Sequence, residues 1–210
     1  MTNTKCSLLL LRGLNKLTQV RGEEEMALIK LRKIDMPGGS GEFRVRTTDG
    51  GHAWITARPL SARGENLIQW ALIQIKNRYQ PDVFGVPLNA VLGAAKVGVF
   101  LQADAPEVGA YSANMDDDRK TPVYIFNRAL LHSSTAKEKR EFVVTLLHEL
   151  MHAMHKESAD RDSEGTFEAS FDLACYKALG FDVPASHWAW KRLGIDVEKL
   201  LKEQEPEEKK

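Results

Sequence analysis

The sequence has little cysteine, with Cys6 and Cys175 the two thiols among 210 residues. Two thiols exclude a disulfide-stapled scaffold and a zinc site built from four cysteines. So few cysteines are also typical of proteins from a reducing compartment, and we therefore expect a cytoplasmic location. Any metal ion that this chain binds must be held mainly by histidine and carboxylate.

Long apolar runs and net charge are also missing. The run at residues 8–11 is cut by Arg12, far short of the roughly 20 residues that a membrane-spanning helix needs. Lys+Arg and Asp+Glu both number 29, and this balance argues against a general nucleic-acid binder. We therefore expect neither a membrane nor a nucleic acid as partner. A local basic patch around a predicted hairpin stays open, formed by Arg44, Arg46, Arg58 and Arg63.

Two interpretations fit the start of the chain. Residues 21–25, Arg-Gly-Glu-Glu-Glu, precede Met26, and their purine-rich codons resemble a ribosome-binding site that would make Met26 the true start. Alternatively, these acids begin a charged helix, since acids suit a helix N-terminus. The predicted organisation is an N-terminal extension at 1–25, untranslated in the first interpretation, a single domain at 26–198, and a charged flexible tail at 199–210.

Strands are predicted first along the chain and helices last, which indicates an α+β fold. Alternating residues on either side of Asp49-Gly50-Gly51 predict a β-hairpin over 43–47 and 53–56. Further strands are predicted at 97–101 and 123–126, and helices at 64–79, from 134–135 to about Lys156, and from Thr166 to Leu179. Thr135 and Glu138 form a capping box at the start of the second helix, and Gly180 suits the end of the third.

The stretch His148-Glu149-Leu150-Met151-His152 has the pattern HExxH inside a predicted helix. Residues four apart lie on one helix face, so both imidazoles can reach one metal ion at about 2.0–2.1 Å. Glu149 stands beside them, where its carboxylate can hold a metal-bound water rather than the metal. The pattern therefore predicts a catalytic zinc site.

Residues 146–153, Leu-Leu-His-Glu-Leu-Met-His-Ala, resemble the active-site helix of the zincin metallopeptidases. The resemblance covers roughly residues 123–179. It implies an α+β fold with a small mixed sheet, an active-site helix carrying HExxH, and a following helix that supplies a ligand. Zincins place an edge strand of the sheet before the active-site helix. Residues 123–126 stand in that position, where an extended peptide could add by main-chain hydrogen bonds.

A zinc site needs a third protein ligand. The metzincin pattern HExxHxxGxxH requires Gly and His where this chain has His155 and Ser158. Glu168 followed by Asp172 resembles the gluzincin arrangement, in which the second acid accepts the N–H of a ligating histidine. Residues 167–174 are also similar to the second-helix pattern of the ImmA/IrrE family. The resemblance implies that Glu168 is the third ligand and that Asp172 orients a histidine.

Two other third ligands stay open. Glu164, before Gly165, stands where SprT-like proteases carry a histidine followed by glycine. His155 shares a helix face with His148 and His152, but three ligands on one helix would span about 10 Å of its axis. A cation near a helix C-terminus is the simpler explanation of His155.

A peptidase also needs a donor to the oxyanion that forms on the substrate carbonyl. His187 and Tyr176 are the catalytic candidates for this role, with Tyr124 and Tyr111 as weaker ones. The non-catalytic alternative for His187 is packing beside two tryptophans. Cys175 is expected to be buried and inert.

These patterns predict a zinc-dependent metallopeptidase that acts on a protein or peptide substrate. His148, His152 and Glu168 would hold Zn²⁺, and Glu149 would be the general base. Two alternatives stay open: a zincin-fold binding or regulatory protein with little peptidase activity, and a DNA-associated protease of the SprT-like kind. The sequence determines neither the cleavage specificity nor the oligomeric state.

Overall fold

A computed structural model of the chain describes residues 29–33, 35–46, 52–104, 110–114, 121–154 and 166–197. The chain divides into two compact units, residues 1–30 and residues 31–210. Of the first unit, Ile29 and Lys30 are the described residues. The predicted boundaries near Met26 and residue 198 lie outside the described residues, as do the hairpin turn and the alternative ligands His155 and Glu164.

Five strands form one mixed sheet in the described part of the second unit. Strands β1 (Gly41–Arg46) and β2 (His52–Pro59) pair antiparallel and confirm the predicted hairpin. Strand β3 (Val99–Ala103) is antiparallel to β2 and parallel to β5 (Pro122–Asn127), which pairs antiparallel with β4 (Ala110–Asn114). The order across the sheet is β1-β2-β3-β5-β4, so the mixed α+β class is confirmed.

The described residues also form five α-helices, two of them between β2 and β3 and three after β5. They are α1 (Ala62–Arg78), α2 (Leu88–Val97), α3 (Ala136–His152), α4 (Thr166–Ala178) and α5 (Trp188–Arg192). Short 3-10 turns occupy Pro37–Gly39, Pro81–Val83 and Leu130–His132. A search of the described helices finds none with the length and apolar character to cross a membrane.

The prediction of a strand from residue 97 is wrong at its start. Helix α2, which was not predicted, ends at Val97, and the strand begins at Val99. Val91 and Ala95 are four residues apart in α2 and both are buried, and leucine and alanine favour a helix over this stretch. Gly98 closes the helix by donating its N–H to the carbonyl oxygen of Ala94 at 3.0 Å.

The prediction that residues 123–126 form the sheet edge is also wrong. Strand β5 is hydrogen-bonded to β3 on one side and to β4 on the other, so no peptide can add to it. Among the described strands, β4 is the edge on this side of the sheet, and it lies against α3. Its sequence Ala-Tyr-Ser-Ala-Asn lacks the apolar alternation that would have predicted a strand.

Helix α3 is held centrally, between the sheet and α4. Phe142 of α3 meets Phe126 of β5 with ring centroids 5.5 Å apart. The apolar side chains that flank the histidines are fully buried: Val143, Leu146, Leu147, Leu150 and Met151. The opposite face of the sheet buries a second apolar cluster, which comprises Ile55, Ala57, Val99, Leu101, Ala103, Val123 and Ile125. Packing on several sides thus fixes the position of α3.

The predicted capping box begins α3. The hydroxyl of Thr135 accepts the N–H of Glu138 at 3.2 Å, and the Glu138 carboxylate accepts the N–H of Thr135 at 3.0 Å. The helix ends at His152, four residues before the predicted end at Lys156. Helix α4 matches its prediction within one residue, and Gly180 beyond it has a positive φ of 62°.

Candidate metal centre

Three ligand atoms converge between α3 and α4. Nε2 of His148 lies 2.9 Å from Nε2 of His152 and 3.0 Å from Oε2 of Glu168. Nε2 of His152 lies 3.2 Å from the same Glu168 oxygen. The histidines come from one face of α3, and Glu168 comes from the first turn of α4. The structure thus brings together the three residues that the sequence predicts as ligands, as one group that could hold a metal ion.

This donor set fits zinc. A tetrahedral zinc ion with bonds of about 2.0–2.1 Å separates neighbouring ligand atoms by about 3.4 Å. The separations of 2.9, 3.0 and 3.2 Å among the three donors are slightly shorter, so small side-chain adjustments would accommodate the ion. Three ligands of nitrogen and oxygen type also leave a fourth position for water, as a catalytic zinc site requires.

The electrostatics of the cluster favour a cation. Burial by itself would lower the pKa of His148, but hydrogen bonds to Asp172 and Glu168 and the charge of Glu149 raise it to about 10. Burial would raise the pKa of Glu168, yet its hydrogen bonds to His148 and His152 hold it far below its ordinary value of 4.5. In the metal-free protein a proton on His148 meets this demand for positive charge, and a divalent ion would meet it too.

Asp172 orients His148. It follows Glu168 by about one turn of α4, and its Oδ1 lies 3.1 Å from Nδ1 of His148. A proton donated from Nδ1 to this carboxylate leaves the Nε2 lone pair directed at the ligand cluster. Asp172 therefore occupies the position that the sequence predicts for it.

Glu149 is buried, with 7% of its surface exposed. Its charge adds to the raised pKa of His148. Burial and, after it, the same charge raise the pKa of Tyr124, whose fully buried hydroxyl has no hydrogen-bond partner among the described residues. The carboxylate therefore lies within electrostatic reach of His148, one of the three candidate ligands.

The two predicted oxyanion donors, His187 and Tyr176, contact each other beside Asp172. His187 places its Nε2 3.0 Å from Oδ2 of Asp172, so it contacts the residue behind His148. Tyr176 follows Glu168 by eight residues, about 12 Å along the helix axis, and meets the His187 ring edge-on at 5.1 Å. Burial and the charges of Asp172 and Glu141 raise the pKa of Tyr176 to about 12.

Phe171 is a site residue that the sequence reasoning missed. Its ring stacks on His152 with centroids 4.9 Å apart and meets His148 edge-on at 5.0 Å. The available signal was its spacing, since a residue three positions after Glu168 shares its side of the helix. Cys175 is buried as predicted. Burial, followed by the nearby carboxylates, raises the pKa of its thiol, which therefore stays protonated.

The candidate basic patch is partly used for internal contacts. Arg58 pairs with Asp104 at 2.7 Å, and Arg63 donates to the carbonyl oxygen of His132 at 2.9 Å. The side chains of Arg44 and Arg46 lie outside the described residues. The described geometry thus adds no support for a nucleic-acid interface.

Comparison with known proteins finds no relative of this chain. No family model matches the chain, and no match is found among curated proteins or solved structures. Support for the candidate site therefore comes from the geometry and charge of its own residues.

Proposed function

We propose that this chain is a cytoplasmic zinc-dependent metallopeptidase with a zincin-like fold, acting on a protein or peptide substrate. The proposal rests on one observation: Nε2 of His148, Nε2 of His152 and Oε2 of Glu168 lie within 3.2 Å of one another. The general base, Glu149, comes from the same helical turn as the first two ligands. A mixed sheet whose edge strand lies against the active-site helix supports the zincin-like architecture.

Zinc in this site would supply Lewis acidity and lower the pKa of a water molecule to about 7. The Glu149 carboxylate would accept a proton from this water as its oxygen bonds to the substrate carbonyl carbon. The same carboxyl would give that proton to the amide nitrogen as the C–N bond breaks. Asp172 would keep His148 in the tautomer that presents Nε2 to the metal.

Strand β4 offers a place for the substrate backbone. Among the described strands β4 pairs with β5 alone, and its other side is where a further strand would pair. A peptide that added there by main-chain hydrogen bonds would lie alongside α3, which carries Glu149. Peptide addition is thus proposed at residues 110–114 instead of residues 123–126.

Two variants of α3 test the proposal together with measurements of zinc content and peptide-library hydrolysis. Glu149→Gln should keep zinc at the wild-type ratio and lose hydrolysis by about 10²- to 10⁴-fold, because it cannot accept a proton. Glu141→Gln is the matched control, since it removes the same charge two turns earlier on the same helix. This variant should retain wild-type hydrolysis.

Full hydrolysis by Glu149→Gln would contradict the proposed mechanism, and absence of zinc from the wild-type protein would contradict the metal site. Stoichiometric zinc without hydrolysis of any library peptide would instead favour a binding or regulatory protein.

A further inference from the structure

Asp172 contacts two histidines, one with each of its two carboxylate oxygens. Oδ1 lies 3.1 Å from Nδ1 of His148, and Oδ2 lies 3.0 Å from Nε2 of His187. The three side chains are largely buried, with 14%, 12% and 11% of the surface of Asp172, His148 and His187 exposed. A continuous chain of side chains therefore joins the candidate metal ligands to residue 187.

The second nitrogen of His187 determines where its proton lies. Nδ1 of His187 accepts the backbone N–H of Ala189 at 3.3 Å and so caps α5. A neutral imidazole carries one N–H, so the proton of His187 is on Nε2, the nitrogen that lies 3.0 Å from Oδ2 of Asp172. His148 donates to the same carboxylate from Nδ1. Both of these nitrogens therefore face Asp172, and when a metal ion replaces the Nε2 proton of His148, the Nε2 lone pair is directed at the ion.

Contacts within residues 184–190 hold His187 in place. The backbone N–H of His187 and the indole N–H of Trp190 both donate to the carbonyl oxygen of Pro184, at 2.9 and 3.0 Å. Tyr176 of α4 packs edge-on against the imidazole. The segment around α5 thus presents His187 to Asp172 in one orientation.

We propose that His187 is a positioning residue of the metal centre. By binding Oδ2 it holds the Asp172 carboxylate so that Oδ1 sets the ring orientation and the tautomer of His148. The inference rests on the proposed function, because it assumes a divalent ion at His148, His152 and Glu168. It gives His187 a role other than the direct oxyanion contact predicted from the sequence.

Two substitutions separate positioning from helix capping. His187→Gln retains an amide donor near the place of Nε2 and loses the acceptor that caps α5. His187→Asn retains an acceptor near the place of Nδ1 and loses the reach to Asp172. If His187 positions the site, His187→Asn should weaken Co²⁺ and Zn²⁺ binding by about 10- to 100-fold, while His187→Gln stays near wild type. A residue that only caps α5 predicts the reverse order.

Metal affinity would be measured by Co²⁺ absorption titration and by competition of Zn²⁺ with a chelator. Equal affinity of both variants and the wild type, or loss in His187→Gln alone, would overturn the inference and leave the proposed function standing. Failure of the wild-type protein to bind either ion would overturn both. His148→Ala serves as the reference for a removed ligand.

A measurement on the unmutated protein keeps the inference testable if both variants fold poorly. Histidine-selective ¹H–¹⁵N NMR reports the imidazole N–H protons directly. We expect the Nε2–H of His187 to be protected from solvent exchange and to shift when Zn²⁺ is added. A freely exchanging His187 N–H that ignores Zn²⁺ would overturn the inference.

Discussion

Nε2 of His148 and Nε2 of His152 lie 2.9 Å apart, so two neutral rings that both carried their proton on Nδ1 would face each other lone pair to lone pair. Oε2 of Glu168 lies within 3.2 Å of both nitrogens. Three acceptor atoms at such distances require a proton or a metal ion among them. A proton and a metal ion would therefore compete for this one position.

Zinc affinity should rise with pH because of this competition. Hydrogen bonds and nearby charges outweigh burial and raise the pKa of His148 to about 10 in the metal-free protein. Below that pH, zinc must displace one proton, so affinity should increase about tenfold per unit between pH 7 and pH 9. Chelator competition at several pH values would measure the slope. Constant affinity over this range would contradict a shared position.

Phe171→Ala should damage both the fold and the metal site. The ring is 7% exposed and packs against His148 and His152, so its removal should lower the free energy of unfolding by about 3–5 kcal/mol. Zinc affinity should fall as well, because both imidazoles lose a packing surface. Denaturant unfolding and Co²⁺ titration would give the two quantities.

Phe181→Ala is the control for Phe171→Ala. Phe181 packs beneath the guanidinium groups of Arg78 and Arg140, at 5.0 and 5.5 Å, and no contact with the ligand histidines is among its described interactions. Its loss should lower stability without changing metal affinity. An equal loss of affinity in both variants would mean that Phe171 acts only through general stability.

Gly98→Ala should destabilise the protein by about 1–3 kcal/mol. A β carbon at this position would overlap the ring of Tyr124, which is fully buried. Gly93→Ala is the matched control, because a β carbon there meets no atom within 4 Å. That change within α2 should stabilise by about 0.5–1 kcal/mol. Thermal unfolding of both variants would test the opposite signs.

Glu138 should stabilise the folded protein at neutral pH, and this stabilisation should be lost in acid. Hydrogen bonds from the backbone of Thr135 and Ser134 lower its pKa from 4.5 to about 2. A depressed folded-state pKa means that this stability is present above pH 4.5 and is lost as the pH falls towards 2. Glu138→Gln should therefore be less stable than wild type at pH 7, with a gap that narrows across this interval. Urea unfolding at several pH values would measure the gap.

Local signals in the sequence were enough to predict the first half of the site. Glu138 lies three residues after Thr135, and His152 lies four residues after His148, so helix geometry alone predicted the cap and the shared face. Helix geometry alone was not enough to predict the third candidate ligand. The convergence of Glu168 on the histidines was expected through resemblance, since nothing within α3 reveals which residue of the next helix will meet it.

Contacts between residues far apart in the chain could not be predicted from sequence patterns. The contact between His187 and Asp172 joins two elements through tertiary packing, and no periodic pattern encodes it. Strand β4 was missed because pairing with β5, rather than apolar alternation, makes it a strand. Helix α2 was missed because Val97, Val99 and Phe100 suggested a strand, while Gly98 divides them between two elements.

The cap at Thr135 also sets a length rule for α3. His148 follows Thr135 by thirteen positions, and each helical residue advances the chain by about 100° around the axis. One residue inserted or deleted between the cap and the histidines would rotate both imidazoles by about 100° away from Glu168. An insertion of seven residues would leave them within about 20° of their present direction, with the cap moved about 10 Å further along the axis. The length of this helix can therefore change only in steps close to whole turns if the three ligands are to meet.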